Sequence, residues 1–130
     1  MFPADRRGFS LLEAVIAVAV VSLAGVAALT ALAGELRSSR RAREALTVSA
    51  LVEHRMETLR LLPADALRLL PDSLESGHFA PPFDTYEWTA AAKPVPGVDG
   101  VFDVSVVVEG PEGELRLDTR LYRPDLLPAP

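Results

Sequence analysis

Between Pro3 and Pro63 the sequence contains no proline, and residues 9–62 make a 54-residue window in which nothing breaks an α-helix. The other ten prolines all lie from Pro63 to Pro130. The window has two textures. Residues 14–34 run for 21 positions without a charge, and their only polar side chains are Ser22 and Thr30. Both types bond readily to a helix carbonyl one turn back. At about 1.5 Å per residue the run covers about 30 Å, the thickness of a hydrocarbon core, and it reads as one transmembrane helix. A cleaved secretory signal is the alternative. Such a signal has an apolar region of about 7–15 residues that stops at a small-residue cleavage site, whereas here the helical pattern continues.

Residues 35–62 are amphipathic. Ala45, Val48, Val52, Met56, Leu59 and Leu62 recur at steps of three and four and form one stripe. Arg37, Arg40, Arg41, Arg43, Glu44, Glu53, Arg55, Glu57 and Arg60 fill much of the rest and read as a solvated face. Gly25 and Gly34 lower helix propensity and give the helix places to bend.

After residue 62 the pattern changes. Residues 63–77 predict a helical turn at 64–70 followed by a loop. Three segments then read as strands: 83–91, with Tyr86 and Trp88 on one parity; 101–109, with Phe102, Val104, Val106 and Val108 on one face; and 114–122, with Leu115, Leu117 and Leu121 alternating against charges. The last two flank Gly110, Pro111, Glu112 and Gly113, a turn sequence that predicts an antiparallel hairpin. Residues 93–100 read as a Pro/Gly loop, and the tail from Pro124 as frayed.

Residues 63–130 number 68 and include no cysteine, which is marginal for an independent fold. The amphipathic half of the helix supplies the missing apolar surface. The expectation is an α+β fold: a long N-terminal α-helix, with a membrane half at 9–34 and an amphipathic half at 35–62, packed on a small antiparallel β-sheet head at 63–130. This division explains a composition that is 49% hydrophobic but only 6% aromatic.

Several functions are excluded on residue chemistry. Without cysteine there are no disulfides, thiolate zinc sites or thiol nucleophiles. His54 and His78 lie 24 positions apart, the first on the charged helix face and the second in the predicted loop. No phosphate-binding loop or nucleophile elbow is present. Asp99 and Asp103 fall short of the six to eight oxygens that calcium takes. No metal, cofactor, small-molecule substrate or enzymatic activity is expected. The head carries 5 basic and 12 acidic residues, which argues against nucleic acid as a partner.

The N-terminus carries the one specific motif: Arg6, Arg7, Gly8, Phe9, Ser10, Leu11, Leu12, Glu13, Ala14, then the uncharged run. A carboxylate near the centre of a membrane segment costs about 2.5–3.5 kcal/mol on insertion scales, less near an interface, so Glu13 needs a partner. This constellation resembles the type IV prepilin signature shared by type IV pilins and the pseudopilins of type II secretion. The resemblance implies a leader at residues 1–8, cut after Gly8 by prepilin peptidase. Phe9 becomes the new N-terminus and is N-methylated, and Glu13 serves filament assembly. Ser10 stands where threonine is more usual. A new ammonium at Phe9 and the Glu13 carboxylate of a neighbouring subunit are natural counter-charges at low dielectric.

The stretch 43–62, with Glu57, Thr58, Leu59 and Arg60, also resembles the helix of minor pilins and minor pseudopilins. The chain lacks the kinking proline and C-terminal disulfide loop common in major subunits. The implied function is an I-type minor pseudopilin of type II secretion, or the comparable type IV pilus minor pilin, that enters or initiates a filament. The alternatives are a DNA-uptake minor pilin and, in another class, an uncleaved signal-anchored periplasmic adaptor. The implied partners are prepilin peptidase, other minor and major subunits, an inner-membrane assembly platform and membrane lipid. Counting flanking arginines alone would place the C-terminal part inside the cell. The cytoplasmic action of the peptidase on the leader implies the opposite: a single-pass inner-membrane chain with its head in the periplasm, later in a pilus or pseudopilus.

Overall fold

Helix α1 (Leu11–Arg60) occupies 50 residues of the proline-free window in the computed structural model, which describes residues 8 and 10–124. Arg6, Arg7, Phe9 and the remainder of the leader before Gly8 lie outside the described residues, as does the tail from residue 125. Ser10 caps α1: its hydroxyl accepts the Glu13 N–H at 3.1 Å, and its carbonyl accepts the Ala14 N–H at 3.1 Å. Ser22 and Thr30 donate to the carbonyls of Val18 (2.7 Å) and Val26 (2.8 Å), so neither leaves a polar group unpaired. The helix ends two residues before the expected boundary at 62. Leu61 and Leu62 donate to the carbonyls of Thr58 and Leu59, only three residues back, and Pro63 beyond them opposes further α-helix.

The chain divides into two compact units, residues 1–40 and 41–130. In the first, α1 is without cover from its own chain: Leu12, Val15, Ile16, Leu23 and Leu29 are each more than half exposed. It is long and apolar enough to cross a membrane. In the second, α1 from Arg41 onward is followed by α2 (Ala64–Arg68), α3 (Asp72–Glu75) and four strands: β1 (Ser76–His78), β2 (Glu87–Pro94), β3 (Val101–Gly110) and β4 (Gly113–Tyr122). The strands form one antiparallel sheet in the order β1-β2-β3-β4. The fold is thus pilin-like in the α+β sense, a long N-terminal helix packed on a four-stranded antiparallel sheet.

Strand parity builds the core. Trp88 pairs with Val108, Ala90 with Val106, Val106 with Leu117 and Phe102 with Leu121, so one face carries nearly all the apolar bulk. That face joins Val48, Leu51, Val52, Met56 and Leu59 of α1, and Leu67 and Leu70 close one side. Burying each such side chain contributes about 1.5–3 kcal/mol.

Several expectations need correction. The sheet has four strands, not three, because the predicted loop before residue 77 leads into α3 and then β1; His78 is therefore on a strand. The strand predicted at 83–91 starts at Glu87, since Phe83 and Tyr86 donate to the carbonyls of Ala80 and Phe83 in consecutive turns. It continues through Pro94 into the predicted loop, where its pairing partner is Phe102. A proline is tolerated there because it ends the strand. On α1, Ala45 is exposed and Leu51 joins the stripe. Leu115 has the expected parity but is 39% exposed, near the hairpin end of an edge strand.

Two glycines are required by geometry. Gly100 has φ +75°, and a Cβ there would stand 2.7 Å from the Arg123 carbonyl oxygen, whose own N–H donates to Gly100. At Gly110 a Cβ would lie 2.5 Å from the Tyr86 ring. Gly110→Ala is expected to destabilise the head by about 1–3 kcal/mol, because the ring must move off its site. Denaturant unfolding of the full chain in detergent, followed by the fluorescence of Trp88, measures this. Glu109→Ala, on the exposed face beside it, should shift stability by less than about 0.5 kcal/mol. An unchanged midpoint for Gly110→Ala would contradict the close contact.

Candidate functional site

The N-terminal site begins at Gly8, which is exposed and has open space where a side chain would project. Phe9 lies outside the described residues. Glu13 sits in the first turn of α1, where the uncompensated N–H groups and the helix dipole favour a carboxylate. It is exposed, and among the described residues its carboxylate has no hydrogen-bond or ion-pair partner. The Ser10 hydroxyl binds its backbone N–H rather than its side chain, which leaves the carboxylate unengaged.

The head contains a second set of polar residues whose partners the sequence does not announce. The Tyr86 hydroxyl donates to Glu44 Oε2 at 2.7 Å, joining the start of β2 to α1. That hydrogen bond, reinforced by burial and the negative charge of Glu44, pushes the Tyr86 phenol up to about 12. About three helical turns further along α1 from Glu44, the Arg55 guanidinium stacks over the Trp88 ring, 3.4 Å from its centroid. Burial lowers the Arg55 pKa from its ordinary value. Arg123 reaches from the end of β4 to the end of α1. Its Nε donates to the Leu62 carbonyl at 3.2 Å and its Nη2 to the Arg60 carbonyl, which satisfies acceptors left open by the helix terminus.

Glu44 and Arg55 therefore correct the reading of one continuous solvated face on α1. The missed signal is positional: Glu44 lies four residues before Val48, on the stripe itself, and Arg55 lies three after Val52. Tyr86 and Trp88 have core parity, so a buried phenol needed an acceptor and the indole a neighbour on the helix. His54 is exposed, and Asp103 pairs with Arg120 at 2.7 Å on the outer face rather than joining a cation site. Among the described residues no three histidines or carboxylates come together as metal ligands. His78 lies 3.7 Å from Glu87 across the β1–β2 pair.

Residues 3–29 match the family model described as the prokaryotic N-terminal methylation motif, which spans Gly8, Phe9, Glu13 and most of the apolar run. The match covers 27 of the 130 residues and is confined to the N-terminus, which carries the methylation motif of type IV pilin-like subunits. No curated protein and no solved structure matches it. Pilin-like subunits are structural and not enzymatic. The motif implies processing by prepilin peptidase and assembly with other pilins, and together with the apolar helix it points to an inner-membrane anchor.

The polar contacts of the head have a pH signature. The folded state raises the Tyr86 pKa above its ordinary 10.0, so the contribution of its proton is fully present below pH 10 and is lost as pH rises toward about 12. Tyr122→Phe leaves Tyr86 as the sole tyrosine, since the chain has two. The tyrosinate absorbance of that variant should rise with a midpoint near 12, and a midpoint near 10 would contradict the Glu44 bond. Tyr86→Phe should cost about 1 kcal/mol near neutral pH, because Glu44 Oε2 then loses its donor. Unfolding midpoints of the two chains in detergent give the difference.

Proposed function

We propose that the chain is a minor pseudopilin of type II secretion, of the I type, made as an inner-membrane precursor and assembled into a periplasmic filament after processing. The observation that carries the reading is the join of three parts. Gly8, Phe9 and Glu13 stand in motif spacing, an uncharged helix follows directly, and the same helix ends as the spine of a very small head. The small cysteine-free head and the Glu57, Thr58, Leu59, Arg60 pattern favour a minor subunit over a major one. A type IV pilus or DNA-uptake minor pilin shares the same processing and the same helix. The acidic head makes direct DNA binding the weaker reading, with 5 basic residues against 12 acidic ones over residues 63–130.

In this reading prepilin peptidase cuts the Gly8–Phe9 bond, and the accessible backbone at Gly8 suits attack at the membrane surface. The released amine of Phe9 is then methylated and keeps its positive charge. Glu13 of one subunit neutralises the Phe9 terminus of the next, so that each charge, costly alone in lipid, becomes tolerable in the packed filament. The uncovered Leu, Val and Ile side chains of α1 bundle with neighbouring helices, and Ala17, Ala19, Gly25 and Ala28 permit close approach. The head is held in the periplasm, above the membrane.

Intact-mass spectrometry of the membrane-extracted chain tests the processing. The expected mass is that of residues 9–130 with one added methyl group. An intact Met1 terminus in cells with active peptidase would instead support an uncleaved signal-anchored adaptor. Gly8→Val should leave full-length precursor, whereas Glu13→Ala should be processed but lost from sheared filament fractions.

A further inference from the structure

Four arginines follow closely on the uncharged run: Arg37, Arg40, Arg41 and Arg43 fall within seven residues of α1. At about 100° per residue they occupy a sector of about 160°, so they share one face of the helix. Their spacing works against α1 itself. Arg37 stands three and four residues before Arg40 and Arg41, and Arg40 three before Arg43, so like charges lie on neighbouring turns, which destabilises a helix. The nearby acids do not relieve this. Glu35 is three and four residues from Ser38 and Ser39 instead. Glu44 has the right spacing to Arg40 and Arg41, but its Oε2 accepts the Tyr86 hydroxyl. All four arginines are exposed, and among the described residues none of their guanidinium groups has an ion pair or hydrogen bond. Positive charge stacked at a cost, with no anion supplied by the chain, calls for an anion from outside it.

Depth along the helix identifies that anion. Gly34 closes the uncharged run, whose length matches the thickness of a hydrocarbon core. At about 1.5 Å per residue, Arg37 lies about 4.5 Å beyond Gly34 along the axis, Arg40 about 9 Å and Arg43 about 13.5 Å. The headgroup layer on each side of a bilayer is about 5–8 Å thick. Side chains on a helix lean toward its N-terminus, which here is the membrane end, and the long arginine stems extend that lean. The guanidinium groups are thus directed back to the level of the lipid phosphates, which suit their paired N–H donors. We propose that Arg37, Arg40, Arg41 and Arg43 bind the phosphate of an anionic glycerophospholipid at the end of the span away from the leader. The site rests on the membrane span and goes beyond the pseudopilin reading. It also gives a role to arginines that run against the usual charge bias of membrane chains.

Native mass spectrometry of the full chain, expressed with active prepilin peptidase and extracted in mild detergent, reads processing and bound lipid in one spectrum. Phosphatidylglycerol and phosphatidylethanolamine with identical acyl chains are titrated separately. Phosphatidylglycerol adducts should exceed phosphatidylethanolamine adducts about tenfold at equal concentration. Replacing all four residues together, Arg37→Gln, Arg40→Gln, Arg41→Gln and Arg43→Gln, should abolish the preference, and lysine at the same four positions should retain it. All four positions are exposed, so these changes leave the core intact. Arg116→Gln and Arg120→Gln, on the outer face of the sheet, should leave the preference unchanged. Equal adducts of the two lipids, or a preference that survives the four glutamines, would overturn the site. Displacement of phosphatidylglycerol by an equal concentration of glycerol phosphate would also overturn it, by showing a site for soluble anions. The reading of processing fails separately: a chain that retains Met1 but prefers phosphatidylglycerol keeps the lipid site, and a chain that begins at methylated Phe9 without the preference loses it.

Discussion

A four-stranded sheet with one apolar face needs a cover, and in this chain the cover is the stripe from Val48 to Leu59 on α1. Everything else in the head follows from that requirement. The parity of β2 and β3 is fixed because Trp88, Ala90, Phe102, Val104, Val106 and Val108 must all meet the helix, and a slip of one residue would turn them to solvent. The outer face is left to charges, among them the Asp103–Arg120 pair, which stand in water and contribute little to stability. The head cannot be described without the helix, nor can the helix be assigned to the membrane alone. One element is apolar all round at its start and striped at its end, because its two stretches answer to different surroundings.

Apolar burial sets the partners but is non-directional, and a cylinder on a flat apolar face is free to slide or roll. Three polar contacts remove that freedom. Tyr86 grips Glu44 near one end of the packed stretch, Trp88 lies under Arg55 in its middle, and Arg123 holds the carbonyls at its end. Gly110 belongs with them, since the absence of its side chain is what lets the Tyr86 ring lie where its hydroxyl meets the helix. The arrangement spaces fixed points along the helix, so rotation or translation by one turn would break all of them together.

Much of this was legible in the residues, for reasons that differ by segment. The absence of proline and the long uncharged run announce α1 because a single segment can cross lipid with its backbone hydrogen bonds satisfied within itself only as a helix. The 101–109 and 114–122 strands announce themselves by strict alternation across a Gly-Pro-Glu-Gly turn. The strand β1 could not be read, since Ser76, Gly77 and His78 have no strand preference and pair only because β2 offers an open edge. The start of β2 was misplaced for a related reason: aromatic residues at 83 and 86 look like strand, but backbone turns at Ala80 and Phe83 hold them. At the N-terminus the motif at 3–29 is legible as a pattern, and the roles proposed for Gly8, Phe9 and Glu13 rest on their spacing. In the head, charge pattern alone could not separate Glu44 and Arg55 from their solvated neighbours, because their role depends on which aromatic side chains a distant strand sets beneath them.

The Arg123 clasp also bears on the order in which the molecule can be completed. A chain delivered N-terminus first presents α1, then the short helices, then the strands in sequence, each pairing with the one before it. The end of α1 emerges early but receives its last hydrogen-bond donors only when residue 123 arrives. Until then the apolar stripe is partly bare and the helix end unfinished. The head is consequently a structure that closes late, by a contact between its first element and its last strand, and a chain interrupted before that residue keeps its anchor without ever acquiring its finished outer surface.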